Sequence, residues 1–116
     1  MGDGFRFEAY EGNTRVLTFY LRRFLDKQPW NVSAATQIYL ESTDPTGVDI
    51  APIPASPTAP GADWINGVVV VTIGPGDVNS QIGTWQAGLT LWIAGEETTA
   101  DSGVIEVLNR PGFALP

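Results

Sequence analysis

Apolar and polar residues alternate with a period of two in several separate stretches of this chain, which is the spacing of strands. From Thr14 to Phe24, Leu17, Phe19 and Leu21 fall on one side, and Thr18, Tyr20 and Arg22 fall on the other. Thr36 to Glu41 repeats the pattern, with Thr36, Ile38 and Leu40 expected inward. The alternation is clearest from Thr84 to Ile93: Trp85, Ala87, Leu89, Leu91 and Ile93 share one face, while Gln86, Gly88, Thr90 and Trp92 share the other. Asn66-Gly67 joins a turn dipeptide to a run of valines that continues to Ile73, and Gly103 to Leu108 predicts a closing strand with Ile105 and Val107 inward. Phe5 to Tyr10 predicts a first, edge-like strand. Helical spacing free of Gly, Pro or β-branched crowding is not sustained over ten residues anywhere; a single turn is expected at Pro75-Gly76-Asp77-Val78-Asn79.

About six or seven short strands separated by turn residues predict one all-β domain over residues 1–116, an antiparallel β-sandwich ahead of a small barrel or jelly roll. Antiparallel pairing is expected because parallel strands need a crossover of about a dozen residues or more, and one connection has that room. That connection, residues 43–62, holds five of the nine prolines. Pro54, Pro57 and Pro60 recur at the period of a polyproline II helix, so the segment is expected to be a stiff, exposed arm that reaches toward a neighbouring subunit or lies as a surface loop. It matches PxxP without a flanking base, which makes it a weak ligand for an SH3-like groove.

Composition narrows the chemistry. The 116 residues include no cysteine and no histidine, which removes disulfides, thiolate nucleophiles, imidazole bases and the usual zinc and haem ligands. Thirteen acids against six bases give a net charge of −7, a balance that repels phosphate backbones and anionic membranes. Nucleic acid and membrane are therefore not expected as partners. Five of the six bases lie in the first 27 residues, and residues 28–109 carry nine acids and no base, an acidic surface that solubilises the domain or orients a docking partner. No apolar run approaches the ~20 residues of a membrane-spanning helix. The opening Met1-Gly2-Asp3-Gly4-Phe5-Arg6 shows neither a signal-peptide core nor a myristoylation pattern.

Paired carboxylates are the main catalytic option left. Glu96 and Glu97 read as a solvated hairpin tip, and Asp44 and Asp49 flank Gly47 in a pattern that fails the EF-hand spacing and reads as turn chemistry. Gly74-Pro75-Gly76 lacks the lysine of a phosphate loop, and Asn31-Val32-Ser33 is a sequon by pattern alone. The expectation is a non-enzyme with no catalytic residue, cofactor or metal site. Four tryptophans are many for this length. Trp85 is expected in the core, Trp64 pins the arm to the domain, and Trp92 is either covered by the arm or exposed for a partner. With Trp30 or Trp64, Trp92 would also suit a sugar-stacking platform, so a carbohydrate-binding module is a competing reading.

The order of these pieces resembles the immunoglobulin-like domain at the N-terminus of phage upper-baseplate proteins and related virion proteins. Glu11-Gly12-Asn13-Thr14 leading into Arg15 to Leu21 is similar to that family's Gly-Asp-Thr opening and alternating strand, although Asn13 stands where an acid is usual. Pro29-Trp30-Asn31-Val32-Ser33-Ala34-Ala35 ahead of Thr36 to Leu40 is similar to its proline turn and second strand. Asn66-Gly67-Val68 to Ile73 and Gly83-Thr84-Trp85-Gln86-Ala87 are similar to its later strands. The resemblance covers about residues 11–109, with a longer proline arm than the family has. It implies an immunoglobulin-like sandwich in a virion that docks on other virion proteins of the tail, baseplate or fibre, as a homo-oligomer in the particle. A capsid decoration protein is the alternative. Contact residues expected on this basis are Trp92, Trp64, Pro54, Pro57, Pro60, Arg110 and Phe113, with terminal arms at residues 1–7 and 110–116.

Overall fold

The computed structural model describes residues 4–10, 14–23, 25–74 and 82–108. Among them the alternating stretches form strands β1 (Phe5–Tyr10), β2 (Arg15–Tyr20), β3 (Gln37–Thr43), β4 (Asp49–Pro54), β5 (Val68–Ile73), β6 (Gly83–Ile93) and β7 (Glu96–Leu108). A single 3₁₀ turn, Trp64–Asn66, precedes β5. The helical turn expected at residues 75–79 lies outside the described residues.

One sheet runs β1-β7-β6-β3-β4 and the other is the pair β2-β5. In chain order this places β7, β6, β3 and β4 as the G, F, C and C′ strands of an immunoglobulin-type sandwich, with β2 and β5 as B and E. Every pair is antiparallel except β1 with β7, which run parallel from Phe5↔Gly103 to Tyr10↔Leu108. The expectation of uniform antiparallel pairing is corrected here. The two strands come from opposite ends of the described chain, so the rest of the sandwich serves as the crossover that a parallel pair needs. Gly103 permits the close approach, since a Cβ there would sit 2.0 Å from the carbonyl oxygen of Phe5.

The core forms where the inward positions meet. Leu17 and Phe19 of β2 and Val69, Val71 and Ile73 of β5 pack against Ile38, Leu40, Trp85, Leu89, Leu91, Ile105 and Val107 of the larger sheet. The inward sets predicted for β2, β6 and β7 match, with Ile93 half-buried. Thr36 departs from expectation: it lies just before β3, exposed, and both its N–H and its hydroxyl donate to the carbonyl of Trp92. Phe5 and Phe7, two residues apart and so on the same face of β1, meet Phe19 edge-on with ring centroids 5.0 and 5.3 Å away. Of the terminal arm expected over residues 1–7, Phe5 to Phe7 belong instead to the expected first strand, which closes one side of the core, and residues 1–3 lie outside the described residues.

The proline segment is also corrected. Residues 49–54 are an edge strand paired with β3, and Ile53 is a core residue. The hairpin turn before it is held by Asp44, whose Oδ1 accepts from the N–H groups of Thr46 and Val48 and from the Thr46 hydroxyl. After β4 the chain turns at residues 57–61 and comes back over β5, where a Cβ on Gly61 would lie 3.9 Å from Val70 Cγ2. Val70, whose register points it away from the core, is buried on this side of β5 where the segment passes close to it. Gly67 adopts a φ of 76° to enter β5 and has backbone oxygens of Leu21 and Trp30 within 3 Å of any added Cβ, so the Asn66-Gly67 dipeptide ends the 3₁₀ turn.

The β6–β7 turn is not at Glu96-Glu97. It is Ala94-Gly95, with φ of 53° and 78°, the double left-handed conformation of a two-residue type I′ hairpin. Ile93 then pairs with Glu96 and Trp92 with Glu97, so both carboxylates sit on a strand.

Two substitutions test this arrangement. Trp85 is 1% exposed on the central strand, and Trp85→Ala should cost about 3–5 kcal/mol in chemical denaturation. Ala94→Asn, which suits the left-handed backbone, should stabilise by about 1 kcal/mol in the same assay.

Candidate functional site

The outward face of the five-stranded sheet carries the side chains that the core rejects. On it, Trp92 faces Gln37 and Glu97 across the ladders, and Thr90 faces Tyr39. The diagonal pair Trp92 and Tyr39 is within reach for long side chains, and the Trp92 indole N–H donates to the Tyr39 hydroxyl at 2.9 Å. Tyr39 in turn donates to the Glu97 carboxylate at 2.7 Å. Beside this relay the Thr90 hydroxyl donates to Glu41 at 2.8 Å, which leaves Thr90 only 1% exposed on a nominally outward position.

The relay sets the acidity of Tyr39. Its donated hydrogen bond to Glu97 raises the phenol above its ordinary value, the Trp92 N–H pulls the other way, and partial burial with the charges of Glu97 and Glu41 adds to the rise. A raised phenol favours the folded state while it is protonated. That contribution is present below the ordinary phenol pKa of 10.0 and is lost as pH rises through the folded value.

Two grooves flank this relay. One, of about 620 Å³, lies along the start of β3 and is walled by Tyr39, Pro52, Pro54, Ala55, Pro57 and Trp64. The other, of about 570 Å³, forms where Gly88 leaves the sheet without a side chain and is rimmed by Glu41, Thr43, Asp49, Gln86, Thr90 and Ser102. Asp49 there accepts from the Thr43 hydroxyl at 2.9 Å.

The residues expected as contacts divide accordingly. Pro54, Pro57 and Trp64 come together in the first groove. Pro60 is exposed in the returning turn. Trp92 lies outside both lining sets and is half-buried with its polar edge bound to Tyr39. Trp64 is 8% exposed, which suits a residue that pins the segment to the domain and corrects its place among the partner contacts: it is a core side chain, and its backbone carbonyl accepts from the N–H groups of Val32 and Gly67. Its buried indole N–H has no acceptor among the described residues. With Trp64 and Trp85 buried and Trp30 half-buried against the core, the sugar platform of Trp92 with Trp64 does not form. Arg110 and Phe113 lie outside the described residues. Asn31 of the sequon accepts from the N–H and hydroxyl of Ser33 in a local turn.

Tyr39 is the residue that the sequence reading passed over. Its signal was an aromatic ring out of phase with Ile38 and Leu40, hence on the outward face with Trp92.

No protein-family model matches the chain, and no curated protein matches it. A spectrophotometric titration should show a phenol component ionising above pH 10. Tyr39→Phe should remove that component and lower the melting temperature, with the difference from wild type shrinking as the pH passes above that range.

Proposed function

We propose that this chain is a non-enzymatic structural module of a bacteriophage virion, an immunoglobulin-like sandwich that docks on a larger protein of the tail, baseplate or fibre. The observation that carries the reading is where the family-like segments fall. The stretches 11–21, 29–40, 66–73 and 83–87 lead into or form β2, β3, β5 and β6, the strands that supply both halves of the core. A resemblance confined to loops would not have this distribution.

The state of the carboxylates supports a non-catalytic reading. Glu41 receives Thr90, Glu97 receives Tyr39, Asp49 receives Thr43, and Asp44 holds its own turn. Each is used as a hydrogen-bond acceptor that fixes strands or loops. The groove of Tyr39, Pro54, Pro57 and Trp64 supports docking on the proline side, because Pro54 and Pro57 stand exposed along it and offer a stiff apolar wall.

Immunogold electron microscopy of virions of the encoding phage, with antibody raised against the recombinant domain, tests the proposal. Label on the tail or its fibres is the expected result. Label spread over the head would move the assignment to capsid decoration, and virions without label would contradict a structural role in the particle.

A further inference from the structure

Among the described residues the smaller sheet has two strands, and none of them pairs with β2 along its other side. Leu21 N donates to Gly67 O at 2.8 Å in the register that pairs Leu17 with Val71 and Phe19 with Val69. The odd-numbered residues of β2 therefore exchange hydrogen bonds with β5, and the N–H and C=O groups of Val16, Thr18 and Tyr20 point to the open side. Among the described residues, the one bond to this row comes from Arg15 Nη1 to the carbonyl of Val16 at 3.1 Å, and a carbonyl keeps a second lone pair. The matching side chains are exposed: Val16 is 49% and Tyr20 is 70% accessible.

Other sheet edges are blunted in ways that β2 is not. Proline replaces two backbone donors on β4, at Pro52 and Pro54. On β1 the carbonyl of Glu8 is taken by Arg15 Nε at 2.8 Å. On the outer edge of β5, Val68 exchanges both backbone hydrogen bonds with Asp63, at 2.8 and 2.9 Å. β2 itself, Arg-Val-Leu-Thr-Phe-Tyr, has no proline, no glycine and high strand propensity.

We infer that β2 is a self-association edge, pairing antiparallel with β2 of a second copy about a two-fold axis at Thr18. The sequence is self-complementary in that register. Val16 falls opposite Tyr20 of the second copy, an aromatic–β-branched pair, and Thr18 meets Thr18, both favourable cross-strand combinations. Arg15 falls opposite Leu21 and Arg22 opposite Thr14, so no like charges are opposed. Sliding the axis to Leu17 sets Tyr20 against Thr14, and sliding it to Phe19 sets Val16 against Arg22, so both neighbouring registers lose the apolar pair. The product is a continuous sheet β5-β2-β2-β5, closed by a two-fold and hence a dimer rather than a filament. This edge is independent of the proline-side groove and of the virion assignment.

Thr18 on the axis makes the test direct. Sedimentation over a protein concentration series should show reversible dimerisation of the wild-type chain. Thr18→Lys and Thr18→Glu each place like charges opposite one another and should raise the dissociation constant about tenfold or more, with melting curves showing that both variants fold. An equimolar mixture of the two should recover dimer as a mixed species, a result that a misfolded variant could not give. A wild-type chain that stays monomeric throughout, single variants that associate as tightly as wild type, or a mixture that does not recover dimer would each overturn the inference. In the first case the open edge would be left to a strand from a different protein.

Discussion

Among the described residues, five strands on one side of the core face two on the other, and the apolar face of a sheet has to be covered across its full width. Much of what is particular to this molecule answers that mismatch. On the β1 side the uncovered width is filled by side chains: Phe5 and Phe7 reach across to Phe19. Arg15 ties the two layers there by donating to the Glu8 carbonyl while its guanidinium lies 6.0 Å from the Phe7 ring centre. On the β4 side the filling is done by chain. Trp64 and Ala62 pack on the core and the returning segment covers Val70, so the proline-rich connection stands where a further strand of the smaller sheet would otherwise lie.

This division explains why the prolines sit where they do. Pro52 and Pro54 are tolerated because β4 is an edge, where missing donors cost no ladder bond, and their presence discourages further pairing there. The polar face of the larger sheet is handled differently, by hydrogen bonds that lock side chains across strands. The Trp92–Tyr39–Glu97 relay joins β6, β3 and β7, and Thr90–Glu41 joins β6 to β3 again. The face that supplies the candidate contacts is thus also a brace for the sheet, and Trp92 is held with limited freedom to adapt to a ligand.

The strand content and the inward faces of β2, β6 and β7 were legible because a period of two is written residue by residue. Trp85 could be placed in the core from its phase alone. What was not legible depended on contacts distant in sequence. The parallel β1–β7 pair joins the two ends of the described chain and leaves no local signature. The proline segment combined a real strand with a real loop, and its threefold spacing masked Ile53, the apolar residue that commits it to the core. Asn66-Gly67 did announce a turn, whereas Ala94-Gly95 did not, since alanine gives no hint of a left-handed backbone. Of the candidate contacts, Pro54, Pro57 and Trp64 do converge, but on a groove with Trp64 as its buried wall. Tyr39, which links that groove to Trp92, was visible only as an aromatic out of phase.

That the second sheet, among the described residues, ends at β2 and leaves one row of its backbone open is tested most directly by residue-resolved amide hydrogen exchange in dilute solution. The expected result is alternation along a single strand: slow exchange at Leu17 and Phe19, whose N–H groups bond to β5, and fast exchange at Val16, Thr18 and Tyr20. Uniform protection of all five amides in dilute solution would contradict it, because another segment of the chain would then have to lie along that edge.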